Sequence, residues 1–429
     1  MFSTIRRVNI KNTLFLGAVL LCFGLVFLGV GSAAAPKVTI KPMITVVGRY
    51  DSNFYRTENN EREVYSYVIR PGIQVSAATA KTAISFSYKL SAYFYDEKGA
   101  VPLGLQPASE EDYVGHWASL DASYKATRRL TVGLKDSFYY TRRSDRFDDF
   151  YDDADRRKHY TNRLSPQLYY DFENRFSAGL RYQWQVVDYE DTDAGDAEEH
   201  RMAFDLLYNP SRTSTLTLNY QTWTQDYKVG GVDYTSNQIE LIAQKRYKYF
   251  FFEVGGGYQD RSFENPGLED RDLLVYRIAV GGQNPPSYNV GRRVYEEDSL
   301  RLRSHIYFDY ERNFNDLDAF RTDDRFTLSV GHLFFEKIKA WLKVYHTISE
   351  YDAFFGPAVE GGTAQREDKT TGIAGAVRYK VANHSDLYLE TGLTDRDSNI
   401  VGLSYDNVFV RFGLEFSHPI GRGKYGTRW

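Results

Sequence analysis

Cysteine is nearly absent from this 429-residue chain, which holds a single one, so neither a disulfide framework nor a thiolate metal cluster can be assembled from it. An excess of one charge sign is also missing. Lys and Arg number 53 against 57 Asp and Glu, for a formal net charge of -4, which leaves no electrostatic footprint for nucleic acid. Long apolar runs are confined to the start, and after residue 36 no stretch approaches the roughly 18 consecutive apolar residues that a spanning helix needs. What the chain has in quantity is rings: 35 Tyr, 28 Phe and 5 Trp, or 16% of all residues. That content is too high for a disordered polymer, so something folded uses those rings.

The first 35 residues read as an export address. Arg6, Arg7 and Lys11 precede an apolar run from Leu14 to Val30, and the small residues Gly31, Ser32, Ala33, Ala34 and Ala35 follow. That order is the pattern of a cleaved secretory signal peptide, with a retained anchor as the alternative. Cleavage after Ala34 is preferred, since a cut after Ala35 would place Pro36 first. Cys22 follows Leu21 in mid-run, which is no lipoprotein site, so the only cysteine leaves with the peptide.

From there on the hydropathy period is two. Ile84, Phe86, Tyr88, Leu90, Ala92 and Phe94 alternate with Ser85, Ser87, Lys89, Ser91, Tyr93 and Tyr95, one face apolar and the other wet. The pattern returns at Leu130 to Lys135, Phe176 to Gln185, Leu216 to Gln221, Leu300 to Asp309 and Val408 to Phe416. Helical periodicity is sustained nowhere. About 18 such segments lie between Met43 and Ser417, many of the roughly 9 to 11 residues that a tilted strand needs to cross a bilayer. Their connections alternate between short, as at Ala126 to Arg129, Asn209 to Arg212 and Glu336 to Lys337, and long and polar, as at 96 to 112, 141 to 159 and 352 to 368. The connection from Gln283 to Glu297 is long where a short one belongs and could hide a hairpin, which leaves roughly 16 to 20 strands open.

Aromatic positions of the apolar face gather near strand ends. Tyr124, Tyr170, Phe176, Tyr208, Phe334 and Phe416 sit by the short turns, and Phe94, Tyr140, Trp184, Tyr258 and Tyr310 by the long loops. Two such belts suit the two interfaces of a bilayer, whereas a soluble sandwich buries its rings in mid-strand. In hydrocarbon an open sheet edge is forbidden, so the sheet must close. The expectation is an all-β fold: a transmembrane antiparallel up-and-down β-barrel over residues 36–429, following a signal peptide at 1–35.

The segments "GRYDSNFY" from Gly48 and "YVIRPGIQVSA" from Tyr67 to Ala77 resemble the outer-membrane β-barrel porin 2 group. Its members are similar in architecture to barrels of bacterial exopolysaccharide secretion. The resemblance implies a Gram-negative outer-membrane location, a glycan as substrate, and periplasmic polysaccharide-export proteins as partners. Outer-membrane lipid, lipopolysaccharide and the barrel-assembly machinery complete the expected surroundings. At the C-terminus Arg411, Gly413 and Phe416 resemble an assembly signal, but His418 stands where an aromatic ring is expected and a tail runs to Trp429.

If the apolar face meets lipid, the alternate positions line the lumen. The basic candidates are Lys89, Lys135, Arg181, Arg201, Arg277, Arg301, Arg303, Lys339, Lys343, Arg378 and Arg411. The acidic ones are Glu240, Glu253, Asp309, Glu390 and Glu415, and Tyr93, Trp223 and Trp341 interleave with them, as do Tyr139 and Tyr345. Opposed rows of basic and acidic groups would set the field of an aqueous bore, and rings among fixed charges could pass a glycan. Cross-strand charge pairing is the bland alternative. The acidic loop from Asp145 to Arg157 lacks the spacing of a calcium loop. Gly421, Gly423 and Gly426 satisfy a dinucleotide spacing with no strand and helix around them. The eight histidines are scattered, with no nucleophile motif and no cofactor signature, so a non-enzyme is expected. A conduit for exopolysaccharide is the leading reading, with a general or solute-selective porin and a structural or adhesive barrel plugged by its loops as alternatives.

Overall fold

The computed structural model describes residues 37–59, 61–98, 107–142, 157–173, 175–190, 195–284, 302–315, 320–351 and 365–420. The segment 1–35 expected to be a signal peptide, Arg301, nearly all of the acidic loop and the glycines after Ile420 lie outside the described residues. Eighteen strands follow in chain order: β1 (Lys37–Asp51), β2 (Val64–Ala78), β3 (Thr82–Glu97), β4 (Tyr113–Lys125), β5 (Leu130–Thr141), β6 (His159–Asp171), β7 (Phe176–Tyr189), β8 (Ala197–Ser211) and β9 (Ser214–Tyr227) form the first half. The second half comprises β10 (Tyr234–Arg246), β11 (Phe250–Phe263), β12 (Arg271–Asn284), β13 (Ser304–Phe314), β14 (Arg321–Phe334), β15 (Ile338–Tyr351), β16 (Glu367–Ala382), β17 (Ser385–Ser398) and β18 (Tyr405–Ser417). A 3-10 turn at Ala108–Glu111 precedes β4. Among the described residues no helix is long and apolar enough to cross a membrane; the strands do the crossing.

Every strand pairs antiparallel with the one before it, and β18 pairs with β1 from Met43↔Ser417 to Asp51↔Phe409, so the sheet closes on itself. The closed wall counts 18 strands among the described residues, with β12 and β13 paired directly from Tyr276↔Arg312 to Asn284↔Ser304.

Alternation sorts the side chains in the way the hydropathy requires. On β12, Leu274 is 57% exposed on the outside and its neighbour Val275 is 1% exposed on the inside. The outer surface carries aliphatic residues such as Val46, Leu241, Val254 and Leu414, all exposed, and this apolar band marks a wall built to face lipid. Rings edge the band as expected, with Phe176 stacked on Tyr208 at 4.8 Å by the short turns and Tyr310 on Phe326 at 4.7 Å by the long ones. At the turn from β14 to β15, Phe335 (φ 50°) and Glu336 (φ 60°) take the two left-handed positions. That geometry matches the twist of a tight hairpin and places the turn one residue earlier than the sequence pattern indicates.

One stretch departs from expectation. In the periodic segment expected from Leu300, Leu302 and Arg303 are not strand, and β13 begins at Ser304. Arg303 lies in a bend at the rim, and Leu302 is buried, its carbonyl accepting a hydrogen bond from the Lys339 ammonium. A buried ammonium needs an acceptor, and the chain turns inward to supply it.

The seam between first and last strands is sewn by the residues of the "GRYDSNFY" segment. The Asn53 amide nitrogen donates to the carbonyls of Thr57 at 2.8 Å and Asp406 at 2.9 Å, and its oxygen accepts from the Thr57 N–H at 3.1 Å. The Asn53 backbone N–H donates to Asn407 Oδ1 at 3.0 Å. Ser52 and Val408 exchange further bonds, and Arg49, paired with Asp51 at 2.7 Å, covers the Phe409 ring at 4.8 Å. Replacing Asn53 by Ala removes both donors to the Thr57 and Asp406 carbonyls and is expected to cost about 2 kcal/mol. The midpoint of heat-induced loss of the compact band on a denaturing gel should fall. An unchanged midpoint would show that the seam does not depend on this residue.

Candidate functional site: the barrel lumen

The inward faces of β2 to β7 and of β8 to β18 differ in how their charges are balanced. On the first arc, Arg70 donates to Ser91 Oγ at 2.9 Å and to the Tyr93 hydroxyl at 3.3 Å, and Arg163 donates to Gln185 at 2.7 Å. Lys89 holds its ammonium 4.5 Å from the Trp117 ring centroid. Lys135 and Arg181 are exposed to the lumen and form no ion pair among the described residues. Asp121, opposite Lys135 in the ladder, stays beyond ion-pair distance and is the only acid between the rims on this arc's inner face among the described residues.

The second arc is neutralised from within. Arg201 binds Glu199 through two nitrogens at 3.0 Å each and lies 4.3 Å over Trp223. Arg277 sits between Glu240 at 3.9 Å and Glu253 at 3.7 Å, and Arg325 between Glu311 at 3.6 Å and Asp323 at 4.0 Å. Arg378 pairs with Glu415 at 3.2 Å and with Asp386 at 3.8 Å, and Arg411 pairs closely with Glu390. Asp309 and Lys343 also take inward positions. Alternating charge of this kind lowers the field near its own wall, so the unpaired cations of the other arc dominate the bore.

Five candidates point inward but are buried: Tyr93, Trp223 and Lys339, and also Glu240 and Glu390, which lie against their arginines. Tyr93 is buried, stacked on Tyr113 at 4.6 Å and packed with Val47 and Val68. Trp223 is 2% exposed beneath Arg201, and Lys339 is 4% exposed against Leu302. Trp341 packs on the cluster of Tyr345, Ala374 and Phe409. Arg303 is at the rim, and Arg301 is outside the described residues. Sequence reasoning passed over Arg49, Arg70, Arg163, Glu199, Arg261, Asp323 and Arg325, which occupy inward positions of the same strands. The signal was there, since each keeps the parity of the wet residues around it.

Above the bore, the loop after β1 packs on the wall. Phe54, Val64 and Ala108 form a buried cluster, and the Tyr55 hydroxyl donates to Glu97 at 3.2 Å. Burial and the Glu97 carboxylate together push the Tyr55 phenol up, so it remains a neutral donor at any physiological pH. Among the described residues no group of three or more His, Cys, Asp or Glu converges as a metal site would require.

No family model and no curated protein matches the chain. Among solved structures, it is similar to Pseudomonas aeruginosa OpdK crystallised with vanillate, at 9% identity over 89% of this chain and 99% of that one, with a TM-score of 0.49. P. aeruginosa OccK9 (OpdG) is 10% identical over 90% and 98% of the two chains, with a TM-score of 0.48. P. aeruginosa OccK2 (OpdF), in complex with glucuronate, is 9% identical over 90% and 98%, with a TM-score of 0.45. A closed barrel with an even number of strands and an apolar, ring-edged exterior is the architecture of an outer-membrane barrel.

Because Cys22 is the only cysteine, single cysteines introduced into a Cys22→Ser background can report which face is wet. Lys135→Cys and Arg181→Cys should react with a membrane-impermeant thiol reagent in reconstituted protein, whereas Val132→Cys and Leu180→Cys should not. The reverse pattern would turn the barrel inside out and refute the assignment of faces.

Proposed function

We propose that this chain is a solute-selective outer-membrane porin that passes small hydrophilic molecules and favours anions. The observation that carries this reading is the imbalance between the arcs. Lys135 and Arg181 face the bore without ion pairs, while Glu199, Glu253, Glu311, Glu390 and Glu415 are held by Arg201, Arg277, Arg325, Arg411 and Arg378, and Asp205 by the Asn219 amide. Fixed cations lining a low-dielectric bore raise the local concentration of anions and lower their barrier to passage. Transport of this kind needs no catalytic residue. Export through a cleaved leader, insertion by the barrel-assembly machinery and contact with lipopolysaccharide belong to the same proposal.

The exopolysaccharide reading, with its glycan substrate and periplasmic export partners, is carried by the short motifs of β1 and β2 alone. Those motifs have another use, since Asn53 and its neighbours join the ends of the sheet. No feature of the lumen singles out a polymer, so export stands second to the porin reading. Deletion of the gene separates the two: a loss of small-solute uptake with secreted glycan unchanged supports the porin.

In planar bilayers under a salt gradient, the purified protein should show a reversal potential of anion-preferring sign. Lys135→Glu combined with Arg181→Glu should move it toward cation preference. The shift should shrink at about 1 M salt, where the screening length is only about 3 Å. A reversal potential indifferent to both substitutions would remove the basis of the proposal.

A further inference from the structure

We propose that the inner wall between β9 and β14 carries a binding subsite for one neutral, hydroxyl-rich molecule of monosaccharide size. It deepens the porin reading and draws on it for access, since a solute reaches this wall only through the lumen. A pocket of about 230 Å³ opens here, the room of roughly seven or eight waters at about 30 Å³ each. One sugar ring fits that space.

The register builds its floor. Gln221 pairs with Gln238 across β9 and β10, and Gln238 pairs with Gln259 across β10 and β11, so three primary amides stand in a row on the inner face. Gln221 donates to Asn219 Oδ1 at 2.8 Å. The side chains of Gln238, Gln259 and nearby Asn313 make no hydrogen bond to any described residue, although all three line the pocket and Gln259 is only 1% exposed. These amides open to the lumen and are held by no other side chain, so a molecule bound there meets donors and acceptors that are free to take it.

Below that row β11 bares its backbone. A Cβ at Gly257 would lie 2.0 Å from the Ile239 carbonyl oxygen and 2.8 Å from Glu240 Cα, and one at Gly255 would lie 2.8 Å from Glu240 Oε1. Only glycine lets Glu240 settle against this strand.

The unused groups set the class of ligand. The charged side chains around the pocket are already matched, Arg277 with Glu240, Arg325 with Glu311 and Arg201 with Glu199. An ionic ligand would have to break one of these pairs. The unused groups are the amides, each offering a donor and an acceptor, with the Trp223 Nε1–H and the Arg277 Nε–H as further donors, and a hydroxyl answers either kind from one atom. A neutral polyol therefore satisfies the row without disturbing the charges.

The test uses the full-length mature barrel, both in planar bilayers and solubilised in detergent, with glucose as probe and gluconate and glucosamine as charged counterparts of similar size. Glucose should interrupt the ion current in a concentration-dependent way and give a ligand-observed saturation-transfer NMR signal. Gln238→Leu with Gln259→Leu should weaken both by about tenfold or more, the scale of one or two lost hydrogen bonds. Gln259→Asn, which keeps the amide but draws it back, should weaken them less; heat-modifiable migration on a gel confirms that each variant is folded. A response to gluconate or glucosamine equal to that for glucose, or a glucose signal that survives the double substitution, overturns the subsite. An NMR signal that depends on the glutamines in a barrel showing no conductance supports the subsite and refutes the porin reading instead.

Discussion

Closure is the constraint from which everything else follows. In hydrocarbon no water is present to satisfy a free N–H or C=O, so a sheet that spans it must leave no edge. Here the last strand returns to the first over nine residue pairs, from Met43↔Ser417 to Asp51↔Phe409. Beyond the paired region Ile420 bridges Ile40, and His418 donates its backbone N–H to Pro42 at 3.1 Å, so the chain goes on bonding past the expected terminal strand. At the other rim, Asn53 and Asn407 draw loop and strand together with side-chain bonds.

Once the sheet is closed, parity decides the fate of every side chain. Leu or Val on one position meets lipid, and the next position faces an interior too wide to be filled by side chains alone. That interior is unevenly balanced. From β8 onward most acids find arginines on the same or a nearby strand, whereas from β2 to β7 the cations find hydroxyls, an amide and an indole ring. Opposed arcs of this kind put a transverse field across the bore, and a field, unlike a single contact, acts on every solute that enters.

Parity was legible along the chain, and the candidates drawn from it reached the interior with few exceptions. Lys89, Arg181, Glu240, Arg277, Glu390 and Arg411 all sit where an alternating pattern puts them. The exceptions have a common cause. At Leu302 and Arg303 the pattern still alternates, yet strand begins only at Ser304, because the buried ammonium of Lys339 takes the Leu302 carbonyl as its acceptor. Tyr93, Trp223 and Lys339 face inward yet are covered, Tyr93 by Tyr113, Trp223 by Arg201, and Lys339 by the chain at Leu302. Periodicity reports a direction along one strand and carries no information about which neighbour arrives to cover the residue.

The sequence by itself determined the period of two, the belts of rings and the need for closure, because each arises from contacts with solvent or from backbone chemistry local to a strand. Only the tertiary structure decided the strand number, the pairing of charges and the row formed by Gln221, Gln238 and Gln259. Those depend on register, which matches residues distant in the chain, and register is set by how all the strands stagger together when the sheet closes.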